Sequence, residues 1–157
     1  MKSGTRKGFT LVEMMIVIAI AAILLMAALP AMQSMSANSL ADRLYRDLEL
    51  DLRYARSQSS TTGQSVSFEP VDSWKGGWKV TDVSTNTVLR ERKLSLAANT
   101  LSSVTLKTGS PLIFDPKGRT NADATISISV PECSGQRKRT LLVNRIGQVI
   151  LTGVAKC

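Results

Sequence analysis

The sequence predicts an α+β protein: one long N-terminal helix laid across antiparallel β-sheet. Three observations predict it. Residues 14–29 are uninterruptedly apolar, too long a run for a strand. Apolar residues then recur at helical spacing to Ala55. Beyond residue 63 the chain breaks into short β-prone segments separated by turn residues, with no helical pattern between them, which argues against a parallel α/β sheet. At 157 residues the chain is the size of one ordinary domain.

The first eight residues carry Lys2, Arg6 and Lys7 and no acid. Over 9–29 only Thr10 and Glu13 are not apolar. A helix of that length is about 30 Å long, enough to cross a bilayer core. The positive charges ahead of it predict a cytoplasmic N-terminus. A secretory signal peptide is the competing explanation, with a small-residue stretch at 27–31 as its cleavage site. Glu13 argues against it. A carboxylate in an apolar span costs about 3 kcal/mol to insert and is usually functional. Cleavage between Gly8 and Phe9 would create an ammonium one helical turn from that carboxylate.

The helix is expected to pass through Pro30 with a kink, since membrane helices tolerate proline. Ala37, Leu40, Ala41, Leu44, Leu48, Leu52 and Ala55 form the apolar stripe of its second half. Asp42, Arg43, Arg46, Asp47, Glu49, Arg53 and Arg56 read as the opposite, solvated face. Breakers over 57–63 end the helix, with Gly63 as C-terminal glycine. Strands are expected at 65–68, 78–80, 87–89, 101–106, 112–114, 125–130, 141–144 and 149–151, with turns at 84–86 and 115–118. The organisation is thus a leader at 1–8, an apolar helix at 9–36 and a globular region at 37–157. Within the last, 37–60 is amphipathic helix and 64–157 is β-rich.

Chemistry is notable for what is missing. Without histidine there is no Ser-His-Asp triad and no His-ligated metal, and two cysteines cannot build a Cys₄ zinc site. Lys75-Gly76-Gly77 and Lys117-Gly118-Arg119-Thr120 lack phosphate-loop spacing. No catalytic residue, metal or cofactor is expected. Cys133 and Cys157 both follow the membrane span, hence fall in an oxidising compartment, and are expected to form a disulfide. From Cys133 onward the chain carries Arg137, Lys138, Arg139, Arg145 and Lys156 and no acid. This patch fits either DNA phosphates or a plainer reading, a solvated hairpin or a docking surface for an acidic neighbouring subunit, and a basic cluster alone favours the plainer reading.

Gly8-Phe9-Thr10-Leu11-Val12-Glu13 resembles the class III signal of type IV pilins and type II secretion pseudopilins. The resemblance implies cleavage after Gly8 by a prepilin peptidase and methylation of Phe9. It also implies pairing of Glu13 with a neighbouring subunit's N-terminus, and Pro30 matches a proline common in these helices. Tyr54-Ala55-Arg56, Trp74, Trp78 and Phe114-Asp115-Pro116-Lys117-Gly118-Arg119 are similar to the FimT/FimU/GspH branch of minor pilins. It implies the type IV pilin fold, no enzymatic activity, and a subunit that helps initiate or cap a pilus or pseudopilus. The implied partners are major and minor pilins, the peptidase and the inner-membrane assembly platform. The implied location is the inner membrane as a single-pass protein, then the filament, with the globular region periplasmic or extracellular. A C-terminal disulfide also resembles several pilins. Some FimT proteins bind DNA through a Gly-Arg-x-Arg motif. The corresponding stretch here reads Gly147-Gln148-Val149-Ile150, without either arginine.

Overall fold

A computed structural model describes residues 10–157 and, for 27–31, the helical backbone only. The chain begins with one helix, α1, Leu11–Thr62. Thr10 caps it, its hydroxyl accepting the Glu13 backbone N–H at 3.2 Å. Thr10 and Glu13 thus occupy the two positions of a capping box, Thr at the N-cap and Glu three residues on. Gly63 ends the helix in the left-handed conformation, φ 68°, its N–H reaching the Ser59 carbonyl.

Eight strands follow: β1 Val66–Val71, β2 Gly77–Asp82, β3 Val88–Lys93, β4 Leu101–Ser103, β5 Leu112–Phe114, β6 Ala124–Ile128, β7 Lys138–Val143 and β8 Val149–Ala155. They form two four-stranded antiparallel sheets, ordered β3-β2-β1-β5 and β4-β6-β7-β8. Every expected strand is present, all but 112–114 with shifted ends. The fourth stops at Ser103, whose hydroxyl donates to the Thr125 carbonyl and accepts the Leu106 N–H, turning the chain out of the sheet. The seventh starts three residues early, so Lys138 and Arg139 lie in the strand.

One core joins helix and sheets. Leu44, Leu48, Leu52 and Ala55 pack with Phe68, Trp78, Val80, Leu112 and Phe114 of the first sheet and Ile126, Ile128, Leu141 and Val143 of the second. Burying a Leu or Phe side chain contributes roughly 2 kcal/mol, so the stripe on α1 is the main adhesive. At the far end of the helix two turns stack. Asp115 Oδ1 accepts the Lys117 and Arg119 N–H groups, and the Thr120 N–H reaches the Arg145 carbonyl. Gly147, at φ 75°, sits so close to the Gly118 carbonyl that a Cβ would lie 2.0 Å from its oxygen. Only glycine fits that approach.

Cys133 and Cys157 are disulfide-bonded, with Cα atoms 5.5 Å apart. The bridge closes over β7 and β8 and ties down a chain end that would otherwise fray. A loop of this length is stabilised by about 3 kcal/mol on the chain-entropy model. Replacing both cysteines by Ser should therefore lower the urea midpoint by the equivalent amount. An unchanged midpoint would mean that β-pairing alone holds the C-terminus.

Candidate assembly site

The molecule is divided along its helix. Over 11–26 every residue is exposed, and the large apolar side chains, from Leu11 at 77% to Met26 at 76%, touch little. Beyond Ala37 the same helix is gripped on two sides.

Asp51 is fully buried. Its Oδ2 accepts Trp78 Nε1–H at 2.9 Å and Arg92 Nε–H at 3.0 Å, and its Oδ1 accepts from Arg90 Nη1 at 2.7 Å. Arg90 also stacks on Tyr54, 4.0 Å from the ring centre. The hydrogen bond that Arg92 donates to Asp51 pushes its guanidinium above its ordinary pKa. This set of contacts locks α1 to the first sheet.

A second clamp repeats the chemistry. Asp42 Oδ1 accepts from Arg139 Nη2 at 2.7 Å, Oδ2 accepts from Arg137 Nη1, and Arg139 stacks on Tyr45 at 4.5 Å. Each clamp thus uses an Asp and a Tyr three residues on in the helix, and two arginines two apart in sequence. Asp42 and Asp51 are nine residues apart, two and a half helical turns, so their side chains leave the helix on opposite sides. One reaches each sheet. Asn38 extends the second clamp, exchanging two hydrogen bonds of 2.8 Å with Ser134 beside the disulfide. Burial, then Glu49, pushes the Tyr45 phenol up from its ordinary pKa.

The sequence-predicted residues fall into four groups. Gly8 and Phe9 lie outside the described residues. Position 30 lies within the continuous span of α1, so the helix passes through it as expected. Glu13 stands in the first turn of α1, exposed, where the helix N-terminus favours a carboxylate. Of the basic patch, Arg137 and Arg139 are held by Asp42, while Arg145 is exposed in a turn. Lys138, out of phase by one residue, belongs to the other face of β7.

The charged stripe on α1 is therefore not a simple solvated face. Asp42 and Asp47 reach arginines of the sheets, Asp47 lying 3.6 Å from Arg92. Asp51 went unremarked in sequence because it sits on the buried stripe with its partners at least 27 residues away. Thr10 had a readable signal, the Thr-x-x-Glu spacing.

Among the described residues no helix is long and apolar enough to cross a membrane. The apolar stretch whose side chains are described, 11–26, is shorter than the roughly 20 residues a span needs.

Residues 45–147 match the family profile of the type II transport protein GspH. The chain belongs to this family. Residues 4–29 match the prokaryotic N-terminal methylation motif. Two crystal structures of the type IV minor pilin FimU of Pseudomonas aeruginosa share the fold of this GspH-family chain. One, at 18% identity, has a TM-score of 0.55 over 71% of this chain and 92% of that one. The other, at 21% identity, has a TM-score of 0.52 over 77% and 89%. At such identities the likeness is one of fold. No curated protein matches the chain. Both lines agree on a pilin-type architecture: a methylation-motif helix carrying a GspH-type β-rich head.

Proposed function

We propose that this chain is a minor type IV pilin precursor that assembles into a pilus and helps to initiate or cap it. The observation that carries the reading is the division of α1. A head clamped by Asp42 and Asp51 is borne on an arm whose apolar side chains are bare. An uncovered apolar surface of that extent marks an interaction site. Lipid covers it before assembly, and the corresponding helices of other pilins cover it afterwards. The leader is removed between Gly8 and Phe9, with the loss of three of the eight net positive charges. Phe9 is then methylated, and Glu13 meets the N-terminus of a neighbour. The prepilin peptidase and the inner-membrane assembly platform are the transient partners, and the head stays outside the cytoplasm.

Processing tests the reading. Mass spectrometry of the mature protein should begin at methylated Phe9. Gly8→Val should leave the 157-residue precursor uncut, because a β-branched side chain crowds a site shaped for glycine. A mature N-terminus near residue 31 would sink the proposal.

A second reading, a pseudopilin of a type II secretion system, is favoured by the description of the matching family. Deleting the gene separates the two: loss of pili supports the first, loss of protein secretion the second. The DNA-uptake reading is weaker, because two of its four candidate cations already neutralise Asp42.

A further inference from the structure

Two four-stranded sheets leave four edges, and an open edge is a template for pairing unless it is blunted. Three are blunted. β4 and β5 are three residues long, and β3 carries Arg90, Glu91, Arg92 and Lys93. The fourth, β8, is seven residues long and has neither a charge nor a proline. Among the described residues no backbone hydrogen bond joins this strand to anything but β7. It is also barely covered. Ile150 and Leu151, which point to opposite faces, are 40% and 42% exposed. Leu151 lies opposite the buried Leu141, so the core stops one strand short of the edge.

The outward groups follow from the ladder. The Asn144 N–H donates to the Gln148 carbonyl, and bonded and non-bonded pairs alternate between antiparallel strands. Val149 and Leu151 therefore turn their N–H and C=O groups away from β7. Past them the pairing slips by one residue at Thr152, a bulge that bends the strand and ends the regular edge.

Beside this stretch a cleft of about 710 Å³ separates the strand from the last turns of α1. Consecutive residues 147–150 line it, so it follows the strand edge rather than one face. Arg53, Arg56, Ser57 and Ser60 form the opposite wall. Arg53 is taken by Glu49 at 2.7 Å. Arg56 is half-buried, and its guanidinium has no acid partner among the described residues. Its Nε lies 3.1 Å from where a Cβ on Gly147 would sit, which places it at the entry to β8. Arg145 and Lys156, close to the two ends of β8, are exposed and likewise without an acid.

We propose that the edge of β8 takes an extended, acidic segment of another protein as an added strand. The backbone of that segment pairs with Val149 and Leu151, its apolar side chains cover Ile150 and Leu151, and a carboxylate meets Arg56. Charge decides the occupant. A second copy brings no acid after Cys133, and an antiparallel pair centred on Ile150 would bring Arg145 of one copy toward Lys156 of the other. Like charges set opposite each other across paired strands are destabilising. Duplex DNA would satisfy the cations but has no peptide backbone with which to extend the ladder.

The probe is the peptide acetyl-Thr-Val-Glu-Val-Glu-Val-Thr-amide, and the control replaces both of its Glu by Lys. Added to the full-length ¹⁵N-labelled protein in detergent micelles, the acidic peptide should slow hydrogen exchange at the Val149 and Leu151 N–H groups saturably, by at least about tenfold. The edge N–H groups of β3 should not change. The lysine peptide should bind at least about tenfold more weakly. Arg56→Gln should weaken the acidic peptide about fivefold, the contribution of a partly exposed ion pair. Unaltered exchange in β6 shows that the variant keeps its fold. No protection at Val149 and Leu151, equal binding of the lysine peptide, or indifference to Arg56→Gln would each overturn the proposal. So would protection by a short DNA duplex, which would make the edge a nucleic-acid contact. Protection that rises with protein concentration alone would overturn it too, because a second copy would then cover the edge.

Discussion

Replacing Asp51 by Ala should destabilise the head by about 3 kcal/mol. The carboxylate is fully buried and accepts from three donors, two of them guanidinium groups. Its removal strands the Trp78 N–H in the core and leaves Arg90 and Arg92 facing an apolar gap. Breaking one side of a buried ion pair typically costs 3–5 kcal/mol. The lower end applies here because the two arginine side chains keep 35% and 32% exposure, and water takes over part of the lost interaction. Against a total stability of about 5–15 kcal/mol, that is a large fraction. Urea unfolding followed by tryptophan fluorescence measures it directly, since Trp78 reports on the clamp itself. Asp51→Asn keeps the shape and one acceptor oxygen, so its loss should be smaller. A midpoint unchanged by Asp51→Ala would mean that the apolar stripe alone seats the helix on the first sheet.

Asp42→Ala should cost less, because its carboxylate is partly exposed. The difference between the two clamps bears on how the sequence is read. Leu44, Leu48 and Leu52 are legible because the helical period is local: each residue predicts the next. The strand 124–128 is legible for the same reason, with period two. The clamps are not legible, because each joins residues far apart in the chain. Arg137 lies 95 residues from Asp42, and Arg92 lies 41 from Asp51. Nothing in the local pattern around Arg137 separates a cation awaiting a phosphate from one satisfied by its own helix. The net positive charge of the C-terminal segment is real, but its strongest-looking cluster is partly neutralised within the fold. A triple replacement of Arg137, Lys138 and Arg139 would therefore disturb the helix–sheet seam as well as the surface. It is a poor probe of DNA binding.

The turn at Asp72-Ser73-Trp74 was illegible for a different reason. Trp74 is visible in sequence, but the burial of its N–H without a partner depends on a backbone turn that no residue type announces. Asp72-Ser73-Trp74 contains no glycine, so the left-handed conformation at all three is imposed by Thr108 and the sheets. The leader and methylation motif lie at the other extreme. The motif's match over residues 4–29 is carried by a contiguous stretch, and Gly8, Phe9 and Glu13, the residues for which processing and pairing are proposed, fall within six residues.

Glu13→Val should leave membrane insertion intact or improve it, since it removes a charge from an apolar segment. It should nevertheless cut incorporation into filaments at least tenfold beside wild-type subunits, the equivalent of losing roughly 1.4 kcal/mol of docking. The substitution isolates the charge. The helix start is held by the Glu13 backbone N–H on the Thr10 hydroxyl, and valine retains that N–H. The mature N-terminal ammonium of a neighbouring subunit would then enter the apolar filament core without a counter-ion, and an unpaired charge there is costly. Glu13→Gln separates charge from size: it keeps the side-chain length and should fail nearly as badly as valine. Glu13→Lys should be worst of all, because it sets a cation against both the helix N-terminus and the incoming ammonium. Quantitative immunoblotting of sheared filaments against the membrane fraction reads the ratio. Equal incorporation of Glu13→Val and wild type would show that the apolar side chains over 11–26 set the register without the carboxylate. Glu13 would then be left with one contribution, its negative charge at the helix N-terminus.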